Sequence, residues 1–384
     1  MNGKLRRIAL VGASVALVAA AGMQPATAHG RSDGRDWRGS EIDKGWGHQG
    51  HHRTWQVGDT VVDGLLAPLL GLSARGNKLV VAQSFAGMLT SVNRDGTTQN
   101  IVNETHATTG LDMGRRGSIA YTVGPGSPTD PPFAQVKLLK RDGTTTVLAD
   151  TLAYEQANNP DQVNSYGFQG LSPGCAATVP AEIGGGNSYN GMVDSHAYAV
   201  TFAGRGGYFV ADAGGNTILR ISRNGTVSTV AVLPPQPLRV TADLAKGMGL
   251  DSCTVDHDFN FEPVPTDVEI GPDGWLYVTP LPGGPADASL GARGSVYKVN
   301  PWTGWTKQVA TGFLGAVNLA FDDNGRIYVA EMFGNAVSKV VNGRAHKIAD
   351  VPTPGAIDFA RGKLFVTTSG DFGTPTAKVI TLTS

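Results

Sequence analysis

Six times along this chain an alternating apolar strand runs through a tight, glycine-containing turn into a second apolar strand. The segments are Leu70 to Ala82 (LGLSARGNKLVVA), Thr109 to Val123 (TGLDMGRRGSIAYTV), Ala197 to Ala211 (AYAVTFAGRGGYFVA), Thr266 to Thr279 (TDVEIGPDGWLYVT), Asn318 to Ala330 (NLAFDDNGRIYVA) and Ala356 to Thr367 (AIDFARGKLFVT). Each has the period of two and the turn chemistry of a β-hairpin. A third strand and a second turn follow most of them, as at Asn93-Arg94-Asp95-Gly96, Lys140-Arg141-Asp142-Gly143 and Ser222-Arg223-Asn224-Gly225, with a fourth strand beyond. Units of four antiparallel strands spaced by about 37 to 51 residues, apart from two long intervals around the third hairpin, predict an all-β fold: a six-bladed β-propeller of four-stranded blades. Composition agrees, because 52 glycines in 384 residues with only 16% charged side chains suit many short strands joined by turns.

The two ends of the chain complement each other. The sixth repeat runs out at Ser384 with room for three strands, while Asp59 to Pro68 has the pattern of an outer strand leading into a blade. The segment around Val57 to Asp63 is therefore expected to complete the last blade beside Ala377 to Leu382. That closure leaves no open sheet edge, and a monomer is expected.

The propeller thus spans 57–384, preceded by two other segments. Residues 1–28 have the layout of a secretory signal: basic Lys4, Arg6 and Arg7, an apolar stretch from Ile8 to Gly22, and the small-x-small Ala26-Thr27-Ala28. Residues 29–56 lack periodicity and are rich in Gly, Arg, Asp and His, which reads as a disordered linker carrying His48, His51 and His52. Export is the expected fate, with no membrane insertion after cleavage, since no later apolar run approaches the ~18 residues of a span. The near balance of 31 basic and 32 acidic residues argues against a basic nucleic-acid-binding stripe, and no nucleic-acid partner is expected.

An oxidising compartment permits a disulfide, and Cys175 with Cys253 is the one pair available. The cysteines lie in two long insertions, 154–194 and 235–264, each linking an outer strand to the next inner strand. By topology both belong to one face, where they are expected to form a lid over the channel mouth. The lid offers Asn158, Asn159, Asp161, Asp194 and His257 as polar candidates. Below it, the first residues of the inner strands are expected to form a polar ring of Thr108, His196, Asp267 and Asn318. Oxygen donors with one imidazole (His196, Asp267, Asn318) would suit a divalent cation such as calcium. No phosphate loop, zinc motif or nucleophile elbow is present, so no catalytic residue is assigned.

Phe209 to Ile221 (FVADAGGNTILRI) is similar to the NHL-type blade signature, in which an Asp and an Asn secure the turn between the second and third strands. More broadly, VVDGLLAP (61–68), AQSFAGML (82–89), AYEQANNPD (153–161), PTDVEIGPDGWLYV (265–278) and NLAFDDNGRIYVAE (318–331) make the chain resemble the ScyD/ScyE family of exported proteins. The resemblance implies a six-bladed propeller outside the membrane and supplies no reaction. The functional expectation is a non-catalytic exported propeller that binds a small molecule, a glycan or a protein on the lidded face. The alternative is a metal-dependent, lactonase-like hydrolase; it requires a carboxylate at the start of the first inner strand, and Leu65 to Leu70 contains none.

Overall fold

The computed structural model describes residues 55–384 other than Arg115 and Pro128. The signal-like stretch 1–28 and nearly all of the proposed linker, including His48, His51 and His52, lie outside the described residues.

All six hairpins form, and each acquires two further antiparallel strands. Blade 1 runs from Leu69–Arg75 to Thr98–Asn103, blade 2 from Ala107–Met113 to Thr145–Asp150, and blade 3 from Ala197–Phe202 to Val227–Val232. Blade 4 runs from Pro265–Ile270 to Thr306–Phe313 and blade 5 from Ala316–Phe321 to Arg344–Asp350. Blade 6 takes three strands from the C-terminus, Ile357–Ala360, Lys363–Thr368 and Ala377–Thr383, and its outer strand, Gln56–Leu65, from the other end. Val57 lies opposite Leu382, Val62 opposite Val379 and Leu65 opposite Ala377. The ring is closed by residues more than 300 positions apart, as the unfinished sixth repeat requires.

Strand alternation decides how the blades pack. In the strand Tyr208–Asp212 of blade 3, Tyr208 and Val210 join Ala120, Val136 and Ala149 of blade 2. Phe209 and Ala211 point the other way, against Val268, Leu276 and Val278 of blade 4. Every blade is apolar on both faces, so the core is a ring of clusters between blades rather than one central mass. Glycine sits where inner strands approach most closely: a side chain at Gly71 would strike the carbonyl oxygen of Thr109, and one at Gly110 the backbone of Ala199.

The insertions contain more regular structure than their composition suggests. Residues 154–194 include most of the helix Thr151–Asn158 and the strands Ser165–Phe168 and Tyr189–Asn190. Residues 235–264 include the strands Gln236–Arg239 and Asp258–Phe261 and the short helix Ala242–Gly247. The four strands form one separate sheet. Two insertions thus pair with each other, around a small core of Phe168, Val179, Val240 and Ala245. Cys175 and Cys253 are joined by a disulfide, with Cα atoms 5.9 Å apart. Such a bond persists outside the reducing cytosol. Among the described residues no helix is long and apolar enough to cross a membrane.

Candidate functional site

The inner strands of blades 1 to 5 share an irregularity at their lidded ends. Pairing with the second strand slips between Leu69 and Gly71, Thr108 and Leu111, Ala197 and Ala199, Pro265 and Asp267, and Ala316 and Asn318. A bulge turns the residues beyond it away from simple alternation. Polar side chains at or just past these slips reach sideways to the next blade, and Asp358 of blade 6 does so without a slip. Both Asp267 oxygens accept backbone N–H groups, from Val268 at 2.9 Å and from Leu319 of blade 5 at 2.8 Å. Asn318 Oδ1 accepts from Ile357 of blade 6 at 2.7 Å. Asp358 accepts from Ala74 of blade 1 at 2.7 Å, and Asp112 from Phe202 of blade 3 at 2.8 Å. These side chains tie successive blades together round the axis.

The expected ring is therefore not assembled as a donor set. Thr108 is fully buried, its hydroxyl turned to the carbonyl of Met88 at 3.4 Å. Asp267 and Asn318 are committed to neighbouring amides. His196 keeps its ring close to Tyr198 at 5.9 Å between centroids, and burial lowers its pKa to about 4, so the imidazole is neutral. Its backbone N–H, not its ring, donates to Asp212 at 2.7 Å.

Sequence reasoning missed Asp112, Glu269 and Asp358, which with Asp267 make an axial group of carboxyls. The signal was present: an acid inside an otherwise apolar inner strand in LDM, TDVEI and IDF. Burial raises the pKa of all four. For Asp358 the value is pushed up to about 7, by burial first and then by Asp112, against the opposing pull of the amides of Ala74 and Phe359 and of Arg75. The direction fixes a pH dependence. Between the ordinary carboxyl pKa near 4 and about 7 the folded state holds protons that the unfolded chain has released, so stability falls as pH rises. A carboxyl raised to about 7, as Asp358 is, costs about 1.4 kcal/mol per pH unit across that interval. Urea unfolding should give a lower stability at pH 7.5 than at pH 5, and Asp358→Asn should flatten the decline. A stability that is level or rising over this range would contradict the assignment.

On the face that carries the two insertions, blade 3 meets them through the turn within 209–221. Asp212 secures its own turn by accepting from Gly215 N–H at 3.1 Å and holds the entry to the inner strand through Ser195 Oγ at 2.6 Å and His196 N–H. Asn216, in the left-handed conformation at φ 53°, works outward instead. Its amide donates to Asp161 at 2.9 Å and Glu262 at 3.2 Å, and its oxygen accepts from Val264 N–H at 3.1 Å. One side chain thus binds both insertions.

The lid candidates separate accordingly. Asp161 is buried in this junction, and Asp194 is part-buried beside it, where burial raises its pKa. Asn159 donates to the carbonyl of Gly191 at 3.1 Å. Asn158 is exposed and caps its own helix by donating to Tyr154 O at 2.8 Å. His257 lies across the lid, its Nδ1 3.0 Å from the carbonyl of Gln169. The flanking Asp256 and Asp258 face Arg239 at 3.7 and 3.5 Å.

A further residue had no sequence signal. Arg293 follows the excursion at the lidded end of blade 4, its guanidinium 4.1 Å from the ring centroid of Phe261 in the lid. Nη2 donates to Gly283 O at 2.8 Å, while Nε and Nη1 are shielded from solvent and have no partner. Burial lowers its pKa to about 10, which still leaves it charged at neutral pH.

No family model matches the sequence, and no curated protein matches it. Solved structures do resemble it. A gluconolactonase from Xanthomonas campestris is 14% identical with a TM-score of 0.51, over 84% of this chain and 88% of the other. A putative oxidoreductase (glucose dehydrogenase) from Thermus thermophilus is 17% identical with a TM-score of 0.52, over 85% and 99%. The PQQ-bound aldose sugar dehydrogenase of Streptomyces coelicolor is 11% identical with a TM-score of 0.51, over 86% and 98%. At these identities the likeness is one of fold, the β-propeller.

Proposed function

We propose that this chain is an exported binding protein of the ScyD/ScyE type that takes an anionic small molecule on its lidded face, with Arg293 as the recognising cation. The observation that carries this reading is the guanidinium itself. A guanidinium with two shielded nitrogens left unpartnered is expensive unless an acceptor arrives, and a carboxylate or phosphate oxygen is the acceptor that also answers its charge. Phe261 of the second insertion stacks against it, so the lid shapes the same place. The disulfide and the signal-like residues 1–28 support export. A lactonase-like hydrolase built on the expected ring would first have to release Asp267 and Asn318, whose oxygens already accept amides from the next blade.

Isothermal titration with citrate, glucuronate, inorganic phosphate and, as the uncharged control, glucose tests the reading. At least one anion should bind while glucose does not. Loss of a charge-assisted pair is worth about 1.5 to 3 kcal/mol, so Arg293→Met should weaken that anion by at least about tenfold. Equal affinity in Arg293→Met, or binding of glucose and of none of the anions, would refute it.

A further inference from the structure

Five carboxyl groups gather where the first insertion, the turn of blade 3 and the second insertion meet: Glu155, Asp161, Asp194, Asp212 and Glu262. Each has its pKa raised, first by burial and, for Glu155, next by Asp212, Asp161 and Asp194. No lysine or arginine acts on any of them. Neutral donors satisfy part of the group. Asp212 has Ser195 and two backbone amides, while Glu262 has Tyr189 Oη at 2.8 Å and the Asn216 amide. Asp161 Oδ2 has Asn216 and Tyr166 Oη at 3.3 Å.

Four oxygens are left over. Both carboxylate oxygens of Glu155, Asp161 Oδ1 and the Thr217 hydroxyl have no hydrogen-bond partner, and these residues are 1%, 1% and 0% exposed. Gly215 explains part of the geometry. A Cβ on it would stand 3.1 Å from Glu155 Oε2 and 3.4 Å from Thr217 Oγ1, so both oxygens border the space that the missing side chain leaves open. Protonating Glu155 would remove its charge but would still leave a buried hydroxyl and carbonyl unmatched. A cation answers both deficits.

We propose that Glu155, Asp161 and Thr217 hold a divalent cation of calcium's size at the junction of blade 3 with the two lid segments. The donors are all oxygen, with no thiolate or imidazole nitrogen among them, which selects a hard ion. Among the described residues no three acidic or imidazole side chains already close round one point. With water completing the shell, two carboxylates and one hydroxyl make an irregular set that calcium accepts and octahedral magnesium does not. Arg293 is not among these donors, and the ion would bind whether or not an anion occupies the guanidinium. The consequence is architectural, because the ion would neutralise the joint through which Asn216 already fastens both insertions.

The test uses the purified protein stripped with EDTA and dialysed at neutral pH, with calcium or magnesium chloride as the probe. Calcium should bind at one ion per chain by titration calorimetry and raise the melting temperature by several degrees, with magnesium much weaker. Glu155→Gln and Thr217→Ala should each lower calcium affinity by about tenfold or more. In EDTA, Glu155→Gln should melt no lower than the wild type, because the amide keeps the shape of an unpartnered carboxyl and can donate to the acidic oxygens around it. A merely structural carboxylate would give the opposite sign. Absence of calcium heat and of a melting shift in the wild type, or unchanged affinity in both variants, would overturn the proposal.

Discussion

A chain that starts after Leu65 should not unfold cooperatively at any temperature, whereas one that starts at Trp55 should melt like the full-length protein. The strand Gln56–Leu65 is the outer edge of blade 6, and it buries Val62 and Leu65 beside Ala377 and Val379. The same cluster holds Leu72 and Leu79 of blade 1, so the strand closes one sheet and supports the seam between the last blade and the first. Two buried aliphatic side chains are worth about 1.5 to 3 kcal/mol each, and a ladder of backbone hydrogen bonds goes with them. Domain stability is only about 5 to 15 kcal/mol, so the loss approaches the whole. The exposed edge of Ala377–Thr383 would then offer unpaired amides to other chains. Circular dichroism melts and size-exclusion chromatography of the two truncations check this. A sharp transition and a monomeric peak for the shorter chain would show that five complete blades and one partial blade suffice.

Much of this architecture is legible in the residues, because alternation and turn chemistry are local properties. The hairpin LGLSARGNKLVVA announces its strands and turn without help from the rest of the chain. Closure was readable too, since the shortage of strands at Ser384 matches the surplus before Pro68. Side-chain destinations were harder. Thr108, Asp267 and Asn318 all lie at the slipped ends of inner strands, and a displacement of one residue there exchanges a channel-facing position for one that grips the neighbouring blade. The sequence period shows that such a residue alternates but not that the ladder slips beneath it. The lid was underestimated for another reason. Its strands are two to four residues long and owe their existence to pairing between insertions about ninety residues apart, as with Gly167 opposite Asn260. Arg293 illustrates the limit, because what distinguishes it is the lack of a partner, and that is a property of its surroundings alone.

Replacing both cysteines with serine should loosen the lid while leaving the wheel of blades largely intact. The disulfide spans 78 residues, for which chain entropy gives about 4 to 5 kcal/mol. The covalent loop passes through all of blade 3, from Ala197 to Val232, yet the fixed ends lie outside it in the two insertions. Blade 3 is secured independently by the clusters it shares with blades 2 and 4. The lid has only Phe168, Val179, Val240 and Ala245 at the centre of its core, short strand pairings and the bonds of Asn216. A penalty of that size is small against the interblade clusters and large against the lid, so the lid should open locally before the blades unfold. Limited proteolysis should then cut the double variant within 169–188 or 241–256, where the uncut wild type resists, while the main melting transition falls by only a few degrees. Anion affinity should fall with it, because Phe261 reaches Arg293 from the lid strand. A single transition lowered by as much as in the strand-deleted chain, without lid cleavage, would instead make lid and propeller one cooperative unit, with the disulfide acting on the whole ring.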